Sequence, residues 1–317
     1  PLLRDLHRAR RDRLGLPALR PWDMQVDVSG RPPLRPFRKG DELVSLVRRV
    51  FDRLEPEFAR RIDWMDRSRL LDLDAREGKA PGGYMCGLDE RRVPFIFMNA
   101  AGLQADVNTL LHEGGHAFHL FEARDHDLAF NRSAPIEFCE VASMSMELAG
   151  LERIDGAYRE EDARRARLEH LESVVRILCW VCSIDSFQLD LYARPGHTRE
   201  ERRALWLDAF RRFRGEIDYA GLEDAEARRW HMQSHLFVHA LYYIEYAIAQ
   251  IGALQIWRNI REDRARGLAA YRRGLALGNT RPLPSLFEAA GARFDFGERT
   301  VGEVTDLLRR EIETLQG

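Results

Sequence analysis

His112, Glu113 and His116 stand in the run LLHEGGHAFH as H-E-x-x-H. On a helix, residues four apart share one face about one turn from each other, so both imidazoles can reach a single metal ion. Glu113 projects about 100° further round, where its carboxylate can meet a metal-bound water instead of the metal. Zinc lowers the pKa of such a water to roughly 7, and the carboxylate can take its proton as hydroxide forms. The chemistry implied is hydrolysis. A pattern of five residues also arises by chance in unrelated helices, so the rest of the ligand set must decide.

A catalytic zinc takes three protein ligands and leaves one position open. The next helical segment, PIEFCEVASMSMEL, offers Glu137, Glu140 and Glu147. Glu140 is the preferred ligand, because Cys139, Ala142, Ser143 and Met146 give it a small and apolar setting on a helix that can pack antiparallel to the first. Glu137 and Glu147 read as surface charges. Gly114 and Gly115 fall inside the first helix, where each costs up to ~1 kcal/mol relative to alanine. Such a pair permits close approach of a substrate or another backbone, and close packing against a neighbouring helix explains it equally well. A di-iron carboxylate site would use Glu113 and His116 too, but it needs a second E-x-x-H. No other histidine has glutamate three residues before it.

The elements that must hold these groups are mostly helical. The 317 residues are 45% hydrophobic and 32% charged, a globular balance with no mark of disorder. Amphipathic spacing predicts a helix over 41–66, and further helices are expected from Asp106 to about 122, from Pro135 through Glu147, and over 158–193, 199–214, 240–262 and 300–316. Pro282 and Pro284 mark a turn. GKAPGGYMCG at 78–87 reads as an interruption, and VPFIFMN at 93–99 as the one clear strand. A net charge of -2 and only two lysines, Lys39 and Lys79, give no general attraction to nucleic acid or an anionic membrane. Four cysteines make no disulfide framework, and no apolar run approaches a membrane span, so a cytoplasmic setting is expected. Cys179 and Cys182 have redox spacing, but they lie in the apolar helical run VVRILCWVCSIDSF and read as structural.

GGYMCGLDERRVPFIFMNAAGLQADVNTLLHEGGHAFH resembles the thimet oligopeptidase and oligoendopeptidase F family of zinc peptidases, with its PFI-type strand, D-V-x-T-L lead-in and H-E-x-G-H-A-x-H helix. FCEVAS matches the block carrying the family's third ligand, which falls on Glu140. His119 matches the motif's extra histidine, a neighbour of the ligands and not one of them. The similarity continues through WHMQSHLFVHALYYIEYAIAQIGALQIWR. There the family's oxyanion-binding histidine corresponds to His235, and its tyrosine pair to Tyr243 and Tyr246, with Tyr242 as an alternative to Tyr243. Donors so placed oppose the charge of a tetrahedral intermediate.

The resemblance implies a mainly α, zincin-like helical metallopeptidase catalytic domain with a small β-sheet, occupying 1–317 as one domain. It implies one Zn(2+) per chain on His112, His116 and Glu140, Glu113 as general base, and short peptides as substrates. In the family the edge of the strand corresponding to 94–98 pairs with the extended substrate, which favours broad specificity. Gly114 departs from the larger residue usual there. The family's N-terminal helical region is missing from the match, and the first residue is Pro1, so a separate N-terminal segment is an expected partner. The alternative reading is a truncated or inactive peptidase-like module that binds zinc and peptides without cutting them.

Overall fold

Apolar residues at helical spacing drive most of the chain into helices, and the structure, a computed structural model, describes residues 1–317. In chain order these begin with α1 (Leu2–Arg13), α2 (Gly40–Leu54) and α3 (Pro56–Arg67). Three strands follow, β1 (Leu71–Asp74), β2 (Tyr84–Leu88) and β3 (Val93–Ala100). Next come α4 (Gln104–Ala123), α5 (Ile136–Leu151), α6 (Glu160–Ala193) and α7 (Arg199–Phe213). Two short helices, α8 (Glu223–Arg228) and α9 (His235–Val238), precede α10 (Glu245–Glu262), α11 (Arg264–Ala276), α12 (Leu283–Ala289) and α13 (Glu298–Gln316). The architecture is mainly α with one small sheet, as the sequence implies.

The single helix expected over 41–66 is two. Pro56 excludes the α region for Glu55, which sits extended at φ -155 and ψ 110, and its ring opens α3. The segment read as a plain interruption, 78–87, holds all of β2 but its last residue, and β1 was not anticipated. The helix expected from 240 begins only at Glu245, after Leu241 takes a left-handed φ of 55.

Contacts divide the chain into two compact units. One comprises Pro1–Pro32, Glu169–Ala247 and Thr305–Thr314. Its core gathers Phe187, Trp206, Phe210, Tyr219 and Tyr243. The other comprises Pro33–Leu168, Ile248–Val304 and Leu315–Gly317, and it holds the sheet and helices α4 and α5.

In that second unit the strand order is β1-β3-β2. β1 runs parallel to β3, with Leu71 opposite Ile96, and β2 runs antiparallel, with Met85 opposite Ile96. Val93–Ala100 is therefore central, with both its edges paired. The expectation that its edge receives the substrate is corrected: the unpaired edges belong to β1 and β2. Alternate β3 residues, Pro94, Ile96, Met98 and Ala100, turn inward. Buried Lys79 ties the sheet from one end, its ammonium bonding the Asp72 carboxylate and the carbonyls of Asp72, Asp74 and Met98.

Helix α4 is buried on almost all sides. Asp106, expected as the cap, lies inside the first turn, three residues after the N-cap Leu103, and accepts the backbone N–H groups of Ala101 and Leu103. Phe118 stacks on Phe58 at 4.2 Å and meets Phe51 edge-on at 4.9 Å. The opposite side lies against α5 without intervening side chains at Gly115. A Cβ there would come within 2.6 Å of the Ala142 carbonyl oxygen and of Ser143 Cα. At Gly114 it would meet the Phe51 ring at 3.1 Å. Helix-on-helix packing thus accounts for the paired glycines.

Candidate metal centre

Because α4 and α5 touch backbone to backbone, His112 and His116 face Glu140 across the seam. His112 Nε2 lies 3.4 Å from Glu140 Oε2, and His116 Nε2 lies 3.8 Å from the same oxygen. One ligand atom from each of the three residues falls within 4.8 Å of the others. A tetrahedral ion with bonds of about 2.0–2.2 Å needs ligand atoms about 3.3–3.6 Å apart. The donor set of two imidazoles and a carboxylate, at this spacing, fits a zinc ion.

Electrostatics hold the three groups in different states. Burial works against charge on Glu140, but hydrogen bonds with His112 and Ser143, together with nearby His116, outweigh it and keep its pKa below the ordinary value. Ser143 Oγ–H donates within its own helix, 3.1 Å from Glu140 Oε2. Burial and then the neighbouring His112 bring His116 down to about 4, which leaves it neutral and able to ligate. At His112 burial opposes the proton, while bonds to Glu140 and Glu147 hold it well above the usual histidine value.

Glu147 departs from the sequence reading. Expected as a surface charge, it is largely covered, and its Oε1 lies 2.6 Å from His112 Nδ1. It stands seven residues after Glu140, two helical turns along the same face, and that spacing was the available signal.

Glu113 is 6% exposed on the same helix. Burial raises its pKa from the usual carboxylic value to about 7, with the Met85 backbone bonded to the carboxylate. Its Oε2 has no hydrogen-bond partner. His119, one turn beyond His116, is buried with its ring edge-on to Phe138 at 5.8 Å, outside the group formed by His112, His116 and Glu140.

Residues 1–301 match the sequence profile of peptidase family M3. The chain belongs to peptidase family M3. Among its relatives is the chromosomal oligoendopeptidase F of Lactococcus lactis subsp. cremoris, 24% identical over 209 residues, which are 66% of this chain and 32% of that protein. A solved structure described as an oligoendopeptidase F aligns with TM-score 0.90 and 32% identity, covering 99% of this M3 chain and 55% of the other. PZ peptidase A, solved with an inhibitor, aligns with TM-score 0.88 and 30% identity over 98% of this chain and 56% of its own. This M3 chain therefore spans about a third of the curated relative and little more than half of the solved ones.

The other candidate residues lie in the first unit. His235 meets Tyr243 at 5.1 Å between ring centroids and Tyr246 at 5.8 Å. Tyr242, the alternative to Tyr243, stacks on the same imidazole at 5.6 Å. Tyr243 is 7% exposed, and burial pushes its hydroxyl up to about 12. Tyr246 Oη approaches His235 Nε2 at 3.4 Å. The structure thus groups His235 with its tyrosines, and His112, His116 and Glu140 with Glu113, each set within one unit. Cys179 and Cys182 are free thiols, partly covered, within α6. No helix is long and apolar enough to cross a membrane.

Proposed function

We propose that this chain is a zinc-dependent peptidase that hydrolyses short peptides in extended conformation. The observation that carries the reading is the meeting of His112, His116 and Glu140 beside a buried carboxylate with an unpartnered oxygen. His112 Nε2, His116 Nε2 and Glu140 would hold the zinc ion, one per chain. When bound, zinc polarises a peptide carbonyl and makes water acidic enough to react near neutral pH.

The remaining chemistry belongs to the chain. Glu113, held neutral or charged with comparable ease near pH 7, takes a proton from water at Oε2 and returns it to the departing amine. The Met85 contact places Glu113 at β2, one of the strands with a free edge. A peptide added along that edge would be gripped by its main chain, which gives affinity with little dependence on sequence. His235, Tyr243 and Tyr246 supply hydrogen bonds to the carbonyl oxygen as it gains charge, a role supported by the family resemblance and by their clustering.

Glu113→Gln is expected to retain zinc, measured by elemental analysis, and to lose about 10²–10⁴-fold in kcat on a quenched fluorescent peptide. Wild-type turnover in that variant would remove the general-base assignment. Stoichiometric zinc in the wild type without cleavage of any flexible peptide would instead favour a binding module.

A further inference from the structure

A histidine that must donate to a substrate oxygen has to keep its proton on the nitrogen facing that oxygen. Around His235 the other nitrogen is addressed by a chain of groups whose directions are fixed. It starts at Trp180, whose indole lies edge-on to Trp206 at 5.8 Å and to Phe210 at 6.0 Å. Indole N–H can only donate. Trp180 Nε1 donates to Gln233 Oε1 at 2.9 Å, which identifies the oxygen of that amide. The amide nitrogen must then point the other way, and it lies 2.6 Å from His235 Nδ1. An NH₂ group only donates, so Nδ1 must accept with its lone pair. The ring proton of neutral His235 is left on Nε2, the nitrogen that faces Tyr246 Oη at 3.4 Å.

We propose that Trp180 and Gln233 are positioning residues that lock His235 in its neutral, Nε2-protonated form, so that it can act toward a substrate oxygen only as a donor. This rests on the reading of His235 as an oxyanion donor and adds what sets its proton. An imidazolium would need a proton on Nδ1 as well, aimed at the NH₂ of Gln233, and two donors cannot share one short contact. The titratable groups whose rings surround His235 are His239, Tyr242, Tyr243 and Tyr246. None of them is a carboxylate that would reward the charged form. Gln233 lies two residues before His235 on the chain, so the lock is local in sequence, while Trp180 comes from α6 and fixes its sense.

Histidine-selective ¹⁵N labelling of the full chain, with long-range proton–nitrogen spectra, reads the tautomer directly. The His235 signals are assigned by their loss in His235→Gln. In the wild type, Nδ1 is expected to be pyridine-like and Nε2 pyrrole-like. Gln233→Glu replaces the donor by an acceptor; the pattern should invert and the titration midpoint of His235 should rise by about one pH unit or more. Trp180→Phe removes the fixed donor and should yield a mixture of both tautomers. A pyrrole-like Nδ1 in the wild type, or unchanged His235 signals in Gln233→Glu, would overturn the lock. Peptide cleavage separates this from the site reading. Gln233→Glu should lower kcat at least tenfold with KM within about twofold, because only the charge-developing state uses the donor. Inverted tautomer with full kcat overturns the catalytic purpose of the lock, and full kcat in His235→Gln overturns the donor assignment itself.

Discussion

An imidazole presents one nitrogen reliably to a metal only when the other is committed elsewhere, and at His112 that commitment is to Glu147. With Oε1 2.6 Å from Nδ1, the carboxylate accepts the Nδ1–H, and Nε2, the nitrogen on the Glu140 side, is the one left for the proposed ion. The bond also fixes the ring's rotation and raises its basicity. Glu147→Ala should therefore weaken zinc binding about 10–100-fold without removing a ligand. Competition with a chelator of known affinity measures this. Glu147→Gln, whose amide oxygen can still accept, should lie between the two. Equal zinc affinity in all three proteins would show that His112 needs no such partner. The same logic explains why Glu113 stays apart from the ligands: its own helix turns it about 100° from them, and burial leaves Oε2 with nothing to bond.

Between residue and molecule stands the seam of α4 and α5, and Gly115 sets its width. A methyl group at that position would strike the Ala142 carbonyl and Ser143 Cα, both backbone atoms that cannot rotate aside. At Gly114 the obstacle is the edge of a phenylalanine ring, which can shift by tenths of an ångström. Gly115→Ala should cost about 1–3 kcal/mol by forcing the helices apart, and Gly114→Ala less. Because His112 and His116 lie on one side of the seam and Glu140 on the other, Gly115→Ala should also lower zinc occupancy at a fixed chelator concentration. Melting curves and zinc content of the two variants test both statements, and equal behaviour would refute the distinction. The sequence disclosed this seam well, since its ligands sit on two adjacent helices at helical spacing. It disclosed the sheet poorly. YMCGL has neither alternation nor a run of branched residues, and β2 owes its form to pairing with β3. The break at Glu55 was legible in principle from Pro56, whereas the late start of α10 was not, because no glycine announces the left-handed turn at Leu241. A charged residue on a helix, such as Glu147, reads as solvent-facing until its partner on another helix is known. His235 and its tyrosines were found by resemblance alone, since nothing in their spacing over a four-residue helix, a loop and the first turn of α10 signals a cluster.

Stability against acid is a property of the whole chain, and the buried histidines of the two units push it in a definable direction. His7 in the first unit is 3% exposed. Its Nδ1 accepts the Glu216 backbone N–H at 3.0 Å, so its proton is on Nε2, which has no partner. Burial, then the charge of Arg176, bring its pKa from 6.5 to about 4, Glu216 opposing only in part. The folded chain thus binds a proton there more weakly than the unfolded chain. Below pH 6.5 the unfolded state gains protons first, so the contribution is complete above that value and is lost as pH falls toward 4. Glu113 acts in the reverse sense. Its folded pKa of about 7 exceeds the unfolded one, so it favours the folded state as pH falls through 7 and yields no further gain below about 4.5. Only a difference between variants can isolate one from the other. Urea unfolding at pH 7 and pH 4.5 should show the wild type losing about 2–3 kcal/mol more than His7→Gln between the two conditions. Tryptophan fluorescence suits the measurement, because Trp22, Trp180, Trp206 and Trp230 belong to the first unit and only Trp64 and Trp257 to the second. The comparison also remains valid if the units unfold in separate steps, since the probe weights the unit that carries His7. Parallel losses in the two proteins would mean that His7 is solvated enough in the folded chain to take its proton at an ordinary pH, and the acid sensitivity would then have to come from the buried histidines of α4.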